Sequence, residues 1–86
     1  MEIRLGSIVR SLTGHDKDRF YAVLGLDAGS CVIADGKVRR VEKPKRKNLK
    51  HVAATGGTVS VEPLPTNREL RRALFPYNYG DGCPAD

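Results

Sequence analysis

The sequence predicts an all-β fold, a small barrel of short strands, followed by one short helix near the carboxyl terminus. Three observations lead to this prediction. Segments rich in β-branched and aliphatic residues recur at spacings of about ten residues. Turns containing glycine and aspartate separate these segments. Thr66 and Glu69 have the spacing of a capping box, which begins a helix. Closing the sheet would also remove exposed strand edges.

The strands are predicted in chain order from their apolar patterns. They cover residues 6–12, 20–26, 31–34, 37–41 and 48–54, with a further short strand or an extended arm over 58–62. Gly25 inside the second segment predicts a bulge or a tight bend. Asp35-Gly36 between the third and fourth segments predicts a type I′ hairpin turn.

The carboxyl-terminal part of the chain predicts a helix from about Asn67 to Leu74, which Pro76 ends. Its apolar stripe contains Leu70 and Leu74. We expect Leu70, Ala73, Leu74 and Phe75 to pack on the barrel, because so small a domain needs additional core. The alternative is a patch for a partner or a second copy. The predicted organisation is a barrel over 1–54, a linker or extra strand over 55–65, the helix over 66–75 and a flexible tail over 76–86.

Positive charge is concentrated in one part of the chain. Lys and Arg number fifteen against ten Asp and Glu, which gives a net charge of +5 and a pI near 9.6. Eight of the fifteen lie between residues 37 and 50. Such a cluster needs an anionic neighbour or a solvated face, and it favours nucleic acid as the partner. The alternative is a lysine-rich edge that prevents sheet-to-sheet aggregation. A membrane surface usually selects a basic amphipathic helix, and Pro44 interrupts this stretch.

The residue types that commonly carry out catalysis or bind metals are scattered along the sequence. Cys31 and Cys83 form no C-x-x-C motif, and His15 and His51 lie far apart, so we expect no metal and no cofactor. No nucleophile with a base, no pair of carboxylates and no P-loop stands out, which predicts a protein that is not an enzyme. The sequence shows neither a signal peptide nor an apolar run of about 20 residues, so a cytoplasmic location and no membrane are expected.

Residues 6–20 read Gly-x-Ile-Val-x-Ser-x-x-Gly-His-Asp-Lys-x-Arg-Phe, and this stretch resembles the KOW motif, here roughly residues 6–32. In KOW proteins the motif forms two strands and their loop within an SH3-like barrel, and the loop commonly contacts RNA. KOW sequences usually carry a glycine after the Asp-Lys pair, where this chain has Asp18. Aspartate tolerates the left-handed backbone better than most residues, but it adds a negative charge to the loop.

The stretch from Val32 to His51 is similar to short bacterial KOW-domain RNA-binding proteins, which are related to a large-subunit ribosomal protein family of archaea and eukaryotes. The resemblance covers about residues 5–52. It implies an SH3-like barrel of the KOW type and association with RNA, ribosomal RNA above all, with ribosomal proteins as further partners and a role in translation. On this barrel, the first loop and the basic stretch are expected to share one rim.

The candidate RNA-binding residues come from that loop and that stretch. They are His15, Lys17, Arg19, Lys37, Arg39, Arg40, Lys43, Lys45, Arg46, Lys47 and Lys50. The small number of aromatic residues favours structured RNA that is recognised by shape and backbone. The alternative function is an SH3-like protein-interaction module that binds an acidic surface of a ribosomal or transcription protein.

Overall fold

A computed structural model describes residues 2–80, which form a five-stranded antiparallel sheet and one short α-helix. The strands are β1 (Ser7–Ser11), β2 (Phe20–Asp27), β3 (Ser30–Ala34), β4 (Lys45–Asn48) and β5 (Val52–Thr58), in the sheet order β4-β3-β2-β1-β5. A 3-10 turn (Leu49–His51) joins β4 to β5. The helix α1 (Asn67–Phe75) continues into a π-helical turn (Pro76–Gly80). The predicted all-β class is confirmed. The end of the predicted tail, residues 81–86, lies outside the described residues.

The sheet buries side chains on both faces. One cluster contains Val9, Tyr21, Val23, Cys31, Ile33 and Val52. The other contains Ala22 and Ala34 of the sheet and Leu70 of α1. Leu70 and Leu74 are each 1% exposed. Burying a leucine contributes about 1.5–3 kcal/mol, a large share of the stability of so small a domain. The prediction that the helix packs on the sheet is therefore confirmed for Leu70 and Leu74, but it is wrong for Phe75, which is 52% exposed.

Local signals in the sequence placed several features correctly. The pairing of β2 with β3 shifts register between Val23 and Gly25, which confirms the irregularity predicted at that glycine. The capping box is formed, because the Thr66 hydroxyl accepts from the Glu69 N–H at 3.1 Å and the Glu69 carboxylate accepts from the Thr66 N–H at 2.9 Å. Both features depend on residues close together in the chain.

The predicted type I′ turn at Asp35-Gly36 and the predicted strand over 37–41 are wrong, although β3 does pair antiparallel with the next strand, β4. The Asp35 carboxylate accepts from the backbone N–H groups of Lys37 and Arg39 at 2.9 and 2.8 Å. The Arg39 carbonyl accepts from the N–H groups of Asp35 and Gly36 at 2.9 and 3.0 Å. These bonds close a compact turn. The segment 35–44 is consequently a loop, and β4 begins at Lys45, after Pro44, which has no N–H to donate to a sheet.

The predicted strand over 48–54 is interrupted. The Asn48 side chain accepts from the Lys50 N–H at 2.8 Å and thereby caps the 3-10 turn. The last strand consequently begins at Val52 and continues to Thr58. Within residues 2–80, no helix is both long and apolar enough to cross a membrane.

Candidate nucleic-acid interface

Two loops lie together at one end of the sheet: the first loop, residues 12–19, and the basic loop, residues 35–44. Because these strands are antiparallel, the end of β1, the start of β2, the end of β3 and the start of β4 all lie at this end of the sheet. Ion pairs join the loops and their flanks. Arg19 Nη2 lies 3.4 Å from Asp35 Oδ2, and Lys45 Nζ lies 3.2 Å from Asp16 Oδ2. Residues 35–44 of the basic stretch therefore lie at the same end of the sheet as the first loop, as expected.

The first loop reverses direction through left-handed residues. Gly14 has φ of +83°, and Asp18 has φ of +70°. The aspartate thus adopts the backbone conformation for which glycine is usually selected. Its carboxylate lies 3.2 Å from Arg10 Nη1, so its negative charge is paired on the exposed side of β1. His15 and Lys17 are exposed in the same loop.

Beneath this loop, Asp16 forms a buried charged cluster with Lys47. Lys47 Nζ lies 2.9 Å from Asp16 Oδ1 and 3.0 Å from the Thr13 carbonyl oxygen, and Ser11 donates to the same carboxylate at 3.0 Å. Burial alone would raise the pKa of Asp16. The hydrogen bonds from Lys47, Lys45 and Ser11 outweigh burial and hold that pKa well below its ordinary value. The Lys47 side chain is only 7% exposed, so it supports the loop from inside and lies outside the candidate binding surface.

The basic loop is attached to the amino-terminal end of α1. The Asn67 Oδ1 accepts from the Val41 N–H at 2.8 Å, and its Nδ2 donates to both oxygens of Glu42 at 3.0 Å. Arg71 Nη1 donates to the Gly36 carbonyl at 2.8 Å. Gly36 has φ of +80°, and a Cβ there would overlap the Asn67 carbonyl oxygen. Glycine is therefore required where the loop crosses the helix.

Between α1 and the two loops lies a groove of about 780 Å³, the helix groove. Its basic lining side chains are Arg19, Lys37, Arg68, Arg71 and Arg72. Phe75 and Tyr79 form an aromatic wall, with ring centroids 5.3 Å apart. Among the described residues, the one acidic side chain that lines the groove is Asp35, which is buried and already bonded to Arg19 and two backbone N–H groups. The groove is therefore cationic and partly aromatic.

The π-helical turn fixes the aromatic wall. The Asn78 side chain accepts from the Phe20 N–H at 3.0 Å and donates to the Phe20 carbonyl at 3.4 Å. It thus pairs with both backbone groups of the first residue of β2, as a neighbouring strand would. Lys37 Nζ lies 3.3 Å from Tyr79 Oη and 5.5 Å from the centre of its ring. The hydrogen bond from Lys37 lowers the pKa of Tyr79. Tyr79, placed in a flexible tail by the sequence prediction, thus belongs to a hydrogen-bonded turn.

The three arginines of α1 were missed by the sequence analysis. Arg68, Arg71 and Arg72 are exposed and follow the i, i+3, i+4 spacing of one helix face. Within residues 2–80, no carboxylate oxygen lies within 4 Å of the cations of Arg68 or Arg72. Glu69, their neighbour in sequence, is bonded back to Thr66. The repeated arginine without a facing acid is the signal in the sequence that could have identified this face.

The remaining predicted site residues divide into two groups. Arg39, Arg40 and Lys43 are exposed in the basic loop beside the helix groove. Arg46 lies further along β4, where its Nη1 contacts Asp27 at 3.0 Å and Ser30 at 2.9 Å, and Lys50 is exposed in the 3-10 turn. Among residues 2–80, no hydrogen bond or ion pair joins the side chain of Arg46 or Lys50 to either loop. The structure therefore does not group these two with the others.

Comparison with known proteins assigns no family. No protein-family model matches the chain, and no curated protein matches it significantly. The chemistry of the two loops and of the helix groove is consequently the basis for a functional proposal.

Proposed function

We propose that this protein is a non-enzymatic RNA-binding module, an SH3-like barrel of the KOW type that associates with ribosomal or other structured RNA. The observation that supports the proposal is the convergence of exposed cations from three separate elements. Lys17 of the first loop, Arg39 and Arg40 of the basic loop and Arg68 of α1 all lie around one end of the sheet. Lysine and arginine at such a surface neutralise phosphates and release counterions.

The backbone geometry of the basic loop suits this function. The Asp35 carboxylate and the Asn67 carboxamide each bind main-chain N–H groups of the loop, so its shape is set without using the side chains of Arg39 and Arg40. Arg39 and Arg40 consequently remain exposed. Guanidinium groups bind phosphate through paired hydrogen bonds, and a preorganised loop loses less entropy on binding.

The proposal is tested by measuring binding to a structured ribosomal RNA fragment between about 50 and 300 mM salt, with double-stranded DNA as a competitor. The informative variant is Arg39→Gln/Arg40→Gln. The matched control is Arg46→Gln/Lys50→Gln, which removes the same charge from positions that the structure does not group with the loops. Affinity falls as salt rises, and the loss of two phosphate contacts should make the slope of log affinity against log salt less steep by about 1.4–1.8. The control is expected to change the slope far less.

The other outcomes would change the assignment. Equal loss of slope in both variants, or equal affinity for RNA and DNA, would reduce the interaction to general attraction to polyanions. Absence of RNA binding at low salt would reject the proposal. Retention of cellular partners after nuclease treatment would then favour the alternative, an acidic surface of a ribosomal or transcription protein.

A further inference from the structure

We propose that the helix groove holds an unpaired nucleotide of the bound RNA, with its base against Phe75 and Tyr79 and its phosphates on Arg68 and Arg72. This inference rests on the proposed function and specifies which part of an RNA the groove would select. It adds the recognition of one unpaired base to the sequence-based expectation of a structured RNA recognised by shape and backbone.

The first argument is the exposure of Phe75. Its side chain belongs to the same helix as Leu70 and Leu74, which are 1% exposed, yet Phe75 is 52% exposed. Its ring is tilted 44° from that of Tyr79 at a centroid distance of 5.3 Å. The exposed Phe75 ring, packed against the half-buried Tyr79 ring, therefore presents an aromatic surface to solvent. Such a wall offers a stacking surface to a base, whatever the identity of that base.

The second argument is the combination of the wall with cations. A groove of about 780 Å³ falls within the range of roughly 300–1,000 Å³ typical of ligand sites. The carboxylates of an acidic peptide would satisfy the arginines, but such a peptide stacks on Phe75 only if it also carries an aromatic side chain. A-form duplex RNA keeps its bases stacked inside the helix and presents mainly phosphates and 2′-hydroxyls. An unpaired nucleotide offers both an aromatic face and a phosphate.

The third argument is the position of Arg68 and Arg72 in α1. Arg68 is in the first turn of the helix, where the positive end of the helix dipole disfavours a cation. Arg72 lies four residues later, and like charges at this spacing repel each other. Arg71 is partly compensated by its bond to Gly36, whereas Arg68 and Arg72 contact no carboxylate within residues 2–80. A bound phosphate would relieve both unfavourable interactions.

The test compares a fully paired RNA hairpin with the same hairpin carrying one bulged 2-aminopurine, whose fluorescence falls on stacking. The wild-type protein is expected to bind the bulged RNA more tightly and to quench the probe. Phe75→Ala is expected to weaken binding of the bulged RNA by about 5- to 150-fold, to abolish the quenching and to leave the affinity for the paired RNA unchanged. The control is Leu64→Ala, since Leu64 is also exposed (58%) but does not line the groove.

The outcomes separate this inference from the proposed function. Unchanged affinity of Phe75→Ala for both RNAs, or equal weakening for both, would overturn the base-stacking site. If Arg39→Gln/Arg40→Gln still weakened both RNAs, RNA binding by the loops would stand without it. If the wild-type protein bound neither RNA at about 50 mM salt, the proposed function itself would fail. If Arg68→Gln/Arg72→Gln weakened binding of the bulged RNA more than binding of the paired RNA, the phosphate contacts in the groove would be supported.

Discussion

Replacing Lys47 by methionine tests whether this lysine is an internal support and not a surface contact. The substitution keeps most of the side-chain volume but removes the cation 2.9 Å from Asp16 and the donor 3.0 Å from the Thr13 carbonyl. The Asp16 side chain, 11% exposed, would retain Ser11 and Lys45 as partners. Removing one member of a buried ion pair costs about 3–5 kcal/mol, and the remaining partners favour the lower end, about 3 kcal/mol.

A loss of that size is comparable to the whole stability expected for so small a domain, roughly 3–5 kcal/mol. With a urea slope of about 1–1.5 kcal/mol per molar, the unfolding midpoint of Lys47→Met would fall by about 2 M or more. Circular dichroism across a urea gradient measures this shift. The matched control is Lys45→Met, because Lys45 contacts the same carboxylate but its side chain is 32% exposed. Because solvent reaches the Lys45 ammonium group and screens this pair, we expect its loss to cost about 1 kcal/mol or less. Equal midpoints for the two variants would refute the internal role of Lys47.

Three further predictions follow from the loops and the helix. The pKa of Asp16 in the folded protein lies below its ordinary value. The ionised carboxylate therefore stabilises the fold fully above about pH 4, and this stabilisation is lost as the pH falls further. Urea unfolding midpoints between about pH 7 and 3 should fall accordingly, and Asp16→Asn should make the midpoint depend less on pH. Arg68→Gln removes an unfavourable helix-dipole contact and a repulsion with Arg72, worth together about 0.5–1.5 kcal/mol. The melting temperature should therefore rise by about 2–12 °C at low salt while RNA binding weakens, and a fall in melting temperature would contradict both electrostatic assignments. Gly36→Ala should destabilise the protein by about 2–4 kcal/mol, because the new Cβ would strain the backbone and overlap Asn67. The control is Gly29→Ala. Gly29 has φ of +78°, but a Cβ there would meet no atom within 4 Å, so the substitution should cost only the backbone strain, about 1 kcal/mol.

Features encoded by neighbouring residues could be predicted from the sequence. The first three strands follow from dense β-branched and aliphatic segments, and the start of α1 follows from Thr66 and Glu69 alone. The basic loop was mistaken for a strand because Asp35-Gly36 does begin a tight turn. Whether a strand then follows depends on which groups receive the backbone N–H donors. Here the Asp35 side chain takes two of them.

The candidate site was predictable only in part, because charge alone does not distinguish an inner lysine from an outer one. Lys45 and Lys47 point toward the same carboxylate, but that carboxylate comes from Asp16, far earlier in the chain. The helix groove was missed for a related reason. In the sequence, Arg68 and Arg72 are typical of an ordinary solvated helix face. Only the packing of α1 on the sheet shows that they lie beside Lys37.

The carboxamide of Asn67 makes the basic loop and the first turn of α1 a single opening unit. It accepts a hydrogen bond from the N–H of Val41, which lies twenty-six positions earlier in the chain. The Val41 amide proton is therefore shielded only while the helix is docked, and its exchange with deuterium should follow the exchange of the helix amides. RNA that holds the basic loop would then slow the opening of α1 as well, so protection should extend to helix amides that the RNA never touches.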